Sequence, residues 1–169
     1  MMRLADRPHG ASCPRKGVGG IVWPLLGIAL AVRLAAAGGA DAALGRAGRE
    51  FLFPDEARYA CAGRVLAAEG RLVGPGGARA ALAPGYPALV AACARIFGED
   101  PLPLRIVQAF LGTAGVACGI ALAGAIAGPR AASPRAVFLA GIFLAFWPMG
   151  VGHDALVLSD GPGVFLWML

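Results

Sequence analysis

The chain has 169 residues, of which 58% are hydrophobic and only 15% charged, with a mean hydropathy of +0.69 and a formal net charge of +5. Soluble domains carry about 25% charged residues, so this balance points away from a water-soluble domain and toward a membrane protein. The basic residues are scattered arginines with neither a basic stripe nor interleaved aromatics, which argues against a nucleic-acid partner despite the positive charge.

In chain order, residues 1–17 hold Arg3, Arg7, Arg15 and Lys16 among Pro and Gly and read as a short cytoplasmic tail. Residues 18–40, VGGIVWPLLGIALAVRLAAAGGA, form the first long apolar stretch. About 20 such residues suffice to cross the bilayer core. Arg33 interrupts it near the far end, where its long stem is expected to snorkel to the interface. A basic start, an apolar core and the AAAGGADA tail also fit a cleaved signal peptide. Either way, the chain downstream emerges outside.

Residues 41–103 form the first extracytoplasmic loop and carry helical character. Pro54 suits the first helical position, where its missing N–H is an orphan in any case. Asp55 and Glu56 then fall in the first turn, which the helix dipole favours for acids by about 0.3–1 kcal/mol. Tyr59, Ala62 and Leu66 follow on the face of Asp55, and Gly70 closes a helix over 54–70. The stretch VGPGGARA reads as a loop, PGYPALVAACARIFG as an amphipathic helix over 84–98, and EDPLPL as a hinge. The spacing thus predicts two juxtamembrane helices between the first span and the second.

Residues 104–128 are the clearest span, free of charge from Ile106 to Gly128, with Gly115/Gly119 and Gly124/Gly128 at the spacing that lets another helix approach closely. The loop 129–135 has Arg130 and Arg135 and no acid. With the basic tail, it places the N-terminus and this loop in the cytoplasm. Residues 136–152 make a third span, with Trp147 and Pro148 near its outer end as an interfacial anchor. Residues 153–169 are an outer loop and the start of a fourth span. The closing run GPGVFLWML is too short to cross a bilayer, so the chain is expected to be the N-terminal part of a longer protein and inactive by itself.

Cys13, Cys61, Cys93 and Cys118 make no metal spacing and read as free thiols, with a Cys61–Cys93 disulfide as the alternative in an oxidising compartment. His153 and Asp154 have no second His or Cys close by, so no metal site is expected there. The expected fold is all-α: a polytopic integral membrane helical bundle of the cell membrane, with juxtamembrane helices in its first outer loop.

Four segments, PDEARYACAGRVLAAEGRL, APGYPALVAACARIFG, LRIVQAFLGTAGVACGIALAGAIAG and AFWPMGVGHDALVLSDGPGVF, resemble in that order the C-type membrane glycosyltransferases that use polyprenyl-phosphate sugars. These are the protein mannosyltransferase and aminoarabinose transferase relatives. The resemblance covers most of residues 18–169, and its most specific piece is PDEARY. It implies many spans, a first outer loop with two juxtamembrane helices, and an active-site acid at the head of that loop.

The acid of the motif falls on Asp55, with Glu56 beside it, giving Asp55 and Glu56 as the candidate catalytic pair. Arg58, Tyr59 and Tyr86 match following positions, and Arg79 is the nearest cation to the second motif, giving Arg58, Tyr59, Arg79 and Tyr86 as candidate substrate-binding residues. The implied partners are a lipid-linked sugar donor and membrane lipid. The acceptor is not identified, and no cofactor or metal is implied.

The chain departs from the family pattern in two places: Leu82 stands where relatives carry a basic residue, and Ser159–Asp160 where they often have Ser-Glu. A carboxylate in reach of an acceptor hydroxyl or amine orients it and takes its proton, and arginines nearby hold phosphate by paired hydrogen bonds. From the residues alone, an Asp-Glu pair in a first helical turn is ordinary capping, and a non-catalytic multi-span protein, transporter-like or degenerate, is the alternative.

Overall fold

A computed structural model describes residues 19–73, 83–131 and 133–158. Six helices account for the regular structure among them: α1 (Gly19–Arg46), α2 (Pro54–Glu69), α3 (Gly85–Phe97), α4 (Pro101–Ala131), α5 (Pro134–Phe146) and α6 (Pro148–Ala155). The tail 1–17, the loop around Arg79 and Leu82, and the run from Ser159 lie outside the described residues.

Two helices, α1 and α4, are long and apolar enough to cross a membrane, and α5 with α6 makes a third if that bent pair is one span. At 1.5 Å per residue, the 28 residues of α1 reach about 42 Å, against about 30 Å of hydrocarbon. α1 runs beyond the expected end at residue 40 and carries Asp41 on its last turns.

The stretch expected as a third span, 136–152, falls on two helices that meet at 44° and part at Trp147. The cause is Pro148, which lacks the N–H a continuing helix needs and pushes the residue before it out of the helical region. Trp147 sits at φ −59°, ψ 112°. His153 and Asp154, expected in an outer loop, therefore lie on α6. At the other end, Ser133 caps α5, its Oγ accepting the Ala136 N–H at 3.2 Å.

α1, α4 and α5 pack around Ala29, Val116, Ile120, Val137 and Ala145, with Val22, Leu26 and Leu144 against them. Small residues set the approach. Leu144 covers Gly119, one of the glycines spaced for close packing, whereas Gly124 faces open space. Leu25 and Ile120 cover Gly141.

A second cluster joins the loop helices to this bundle: Tyr86, Val90, Cys93, Leu104 and Val157, flanked by Phe51, Tyr59, Leu89 and Val107. α2 and α3 cross where Val90 presses on Gly63, which has no room for a side chain. Arg95 of α3 donates through Nε and Nη2 to the Ala67 carbonyl (3.1 and 2.9 Å), tying down an orphan acceptor near the C-terminus of α2. Cys61, Cys93 and Cys118 are free thiols, and burial pushes the Cys93 thiol up.

Candidate functional site

The head of α2 separates its two adjacent acids completely. Pro54 occupies the first helical position after Phe53, whose backbone is extended, and Gly70 ends the helix at φ 68°, in the left-handed region glycine favours. Asp55 points outward, its side chain 64% exposed, and pairs with Arg58 one turn on at 3.2 Å. Surface pairs of this kind contribute about 0–1 kcal/mol, so Asp55 is held loosely and is open to a solute.

Glu56, the next residue, is fully buried at 0% exposure. Its Oε1 accepts the backbone N–H groups of Leu52 and Phe53 at 3.1 and 3.0 Å, and its Oε2 accepts that of Val157 at 3.1 Å. The Phe53 bond is half of a capping box, in which the third helical residue reaches back to the cap. Phe53 has no side-chain acceptor with which to return it. Glu56 thus fastens the entrance of α2 to a segment 101 residues away in sequence.

Of the candidate substrate-binding residues, Arg58 is 60% exposed beside Asp55. Tyr59 and Tyr86 meet edge to face, ring centroids 5.0 Å apart, linking α2 to α3. Tyr86 is 7% exposed and presents almost no surface to a ligand here. Burial pushes its phenol well above the usual value and the charge of Glu56 pushes the same way, so Tyr86 stays a neutral donor. It lies close enough to Gln108 for that amide to work weakly against the shift. Yet its hydroxyl makes no hydrogen bond of ordinary geometry, and the Gln108 Oε1 atom is likewise unpartnered among the described residues. Arg79 lies outside them.

Two buried polar residues of α4, Gln108 and Arg105, are not among the candidates expected from the sequence. Gln108 donates through Nε2 to the carbonyls of Leu156 and Leu158, both at 3.0 Å. Arg105, one turn earlier on α4 and fully buried, donates to Asp41 Oδ1 at 2.5 Å and to the Glu50 carbonyl at 3.1 Å. Asp41, Arg49, Glu50, Asp100 and Arg105 border an open polar cleft of about 300 Å³ between the end of α1 and the start of α4. Asp55 does not line it. Among the described residues, no group of three or more His, Cys, Asp or Glu is placed to hold a metal ion.

Arg33 corrects an expectation. It does not snorkel outward but is buried at 3% exposure and donates through Nε to Asp154 Oδ2 at 2.7 Å. Its Nη groups reach the carbonyls of Ala29, Ala145 and Leu144 at 3.3, 3.2 and 3.4 Å. An ionisable group inside an apolar bundle turns inward when a partner is available, because leaving it unpaired is the costlier state. The break at Pro148 carries Asp154 within its reach.

The Asp154 carboxylate lies where a side chain on Gly112 would have to stand. Gly112→Ala is therefore expected to lower stability by about 1–3 kcal/mol, as overpacking does. Thermal unfolding in detergent reads this, with Gly124→Ala, which faces open space, as the neutral control.

Among the described residues the regular structure is helical, with two or three segments long and apolar enough to cross a membrane, which places the protein in the class of helical membrane proteins. No family model, curated protein or solved structure matches it.

Proposed function

We propose that the protein works as an integral-membrane glycosyltransferase that moves a sugar from a polyprenyl-phosphate donor to an acceptor on the extracytoplasmic side. α1, α4 and the α5–α6 pair are the spans, and α2 and α3 are the juxtamembrane helices of the first outer loop. One observation carries the proposal: an exposed carboxylate, Asp55, stands on a helix pair bracketed by two membrane-length helices, while the carboxylate beside it is wholly engaged in holding that helix start.

In this account Asp55 is the general base. A phosphate leaving group already bears charge well, so the acceptor is the partner that needs help. Asp55 orients the acceptor hydroxyl or amine and takes its proton as the acceptor oxygen or nitrogen bonds to the anomeric carbon, while the carbon–oxygen bond to phosphate breaks and its electron pair leaves with the lipid phosphate. Arg58, beside it, offers a guanidinium to the phosphate. Glu56 belongs to the catalytic corner through the shape it imposes, and the Tyr59–Tyr86 contact ties α2 to α3.

The alternative is a non-catalytic multi-span protein, and the Asp55–Arg58 pair favours it to one extent: a carboxylate and an arginine three residues apart are common on helix surfaces. The two readings separate in membranes holding the full-length protein and supplied with polyprenyl-phosphate-linked sugars. Transfer of labelled sugar above that of membranes lacking the protein is expected. No transfer from any such donor supports the non-catalytic alternative.

A further inference from the structure

Residues 156–158 are held by Gln108 of α4 and by Glu56 at the start of α2. Leu156 leaves α6 in an extended conformation (φ −109°, ψ 159°), and the Leu158 N–H donates back to the Leu156 carbonyl at 2.9 Å, a tight turn with Val157 at its centre. The carbonyls at the two ends of that turn, of Leu156 and Leu158, receive Gln108 Nε2. Its central N–H goes to Glu56. The Val157 side chain is fully buried among Tyr86, Val90, Cys93 and Leu104. Three residues before Val157, Asp154 is clamped by Arg33 from α1.

We infer that residues 156–158 form a strap through which the buried Arg33–Asp154 pair sets the position of the Glu56 carboxylate, and with it the entrance of α2 that carries Asp55. Three residues held at both end carbonyls and at the central N–H have little slack to absorb a shift of Asp154. Glu56 meets the strap with one oxygen and the Leu52–Phe53 corner with the other, so what moves one moves the other. Arg33, Asp154 and Gln108 are positioning residues: none touches Asp55, and each acts through the strap. The coupling stands on the geometry alone. Only its consequence for turnover rests on the function proposed above.

The test is amide hydrogen exchange on the full-length protein in lipid nanodiscs, which needs no activity. In the wild type, the amides of Leu52, Phe53 and Val157 are expected to be protected. In Asp154→Asn and in Arg33→Ala, all three should exchange roughly tenfold faster, the order that follows losing a hydrogen bond to a charged acceptor. Amides in the middle of α2 should keep their protection. The exchanged pair, Arg33→Asp with Asp154→Arg, should restore part of the protection at residues 52 and 53.

Wild-type exchange at Leu52 and Phe53 in Asp154→Asn would overturn the coupling. Should that variant loosen the whole chain, Gln108→Leu decides, because it frees the strap without stranding a buried charge. Faster exchange at residues 52 and 53 upholds the strap, and no change rejects it. A strap that transmits in a protein showing no sugar transfer would refute the proposed function and leave the coupling standing.

Discussion

Asp154→Ala is expected to lower stability by about 3–5 kcal/mol, because it leaves the Arg33 guanidinium buried among apolar neighbours without its counter-charge. The three carbonyls around Arg33 remain as hydrogen-bond acceptors, but none neutralises it. The cost belongs to the stranded charge and not to the pair as such. Replacing both partners, Arg33→Met with Asp154→Ala, should therefore recover most of the loss, since buried ion pairs often exchange for apolar side chains at little net cost. Denaturant titration in mixed micelles checks both variants. An Asp154→Ala protein as stable as wild type would mean that Arg33 finds another partner or turns outward.

The second large effect is at Glu56. Glu56→Ala removes the acceptor of three backbone N–H groups at once, those of Leu52, Phe53 and Val157. An unsatisfied buried donor costs about 1–3 kcal/mol, and partial access to water at Leu52 and Phe53 moderates their share, so a total of about 3–5 kcal/mol is expected. Glu56→Gln is informative because it keeps the size of the side chain. Its amide has one acceptor oxygen where the carboxylate has two, so one end of the link must face a donor with a donor. Loss on Glu56→Gln comparable to that on Glu56→Ala identifies the two-sided acceptance as the source of the stability. Near-wild-type unfolding of Glu56→Gln would contradict it.

What the sequence made legible was local. Pro54 at a helix start and Gly70 at its end are backbone signals that act within a turn, and α2 begins and stops at them. The apolar runs that became α1 and α4 are long enough that composition alone marks them. What was not legible depends on residues far apart in the chain. Asp55 and Glu56 look equivalent as neighbours in a first turn. Only the arrival of Val157, 101 residues on, makes one a structural anchor and leaves the other open.

The Arg33–Asp154 pair is a similar case. Each residue alone reads as a flank or a loop charge, and their pairing needs the bend that Pro148 imposes. The signals were nonetheless present. Ionisable residues inside or just beyond apolar runs call for partners within the bundle, and Arg105 and Gln108, three apart, share one helix face.

The most direct measurement of the central claim is the rate of sugar transfer from a polyprenyl-phosphate donor by Asp55→Asn, per folded molecule of full-length protein in membranes. Asn keeps the size of Asp55 and loses the base. Because Asp55 is exposed and only loosely paired, the variant should fold as the wild type does. The account predicts unaltered stability with a fall in turnover of about 10²–10⁴-fold, the usual worth of a general base. Full turnover by Asp55→Asn in an active protein would contradict it.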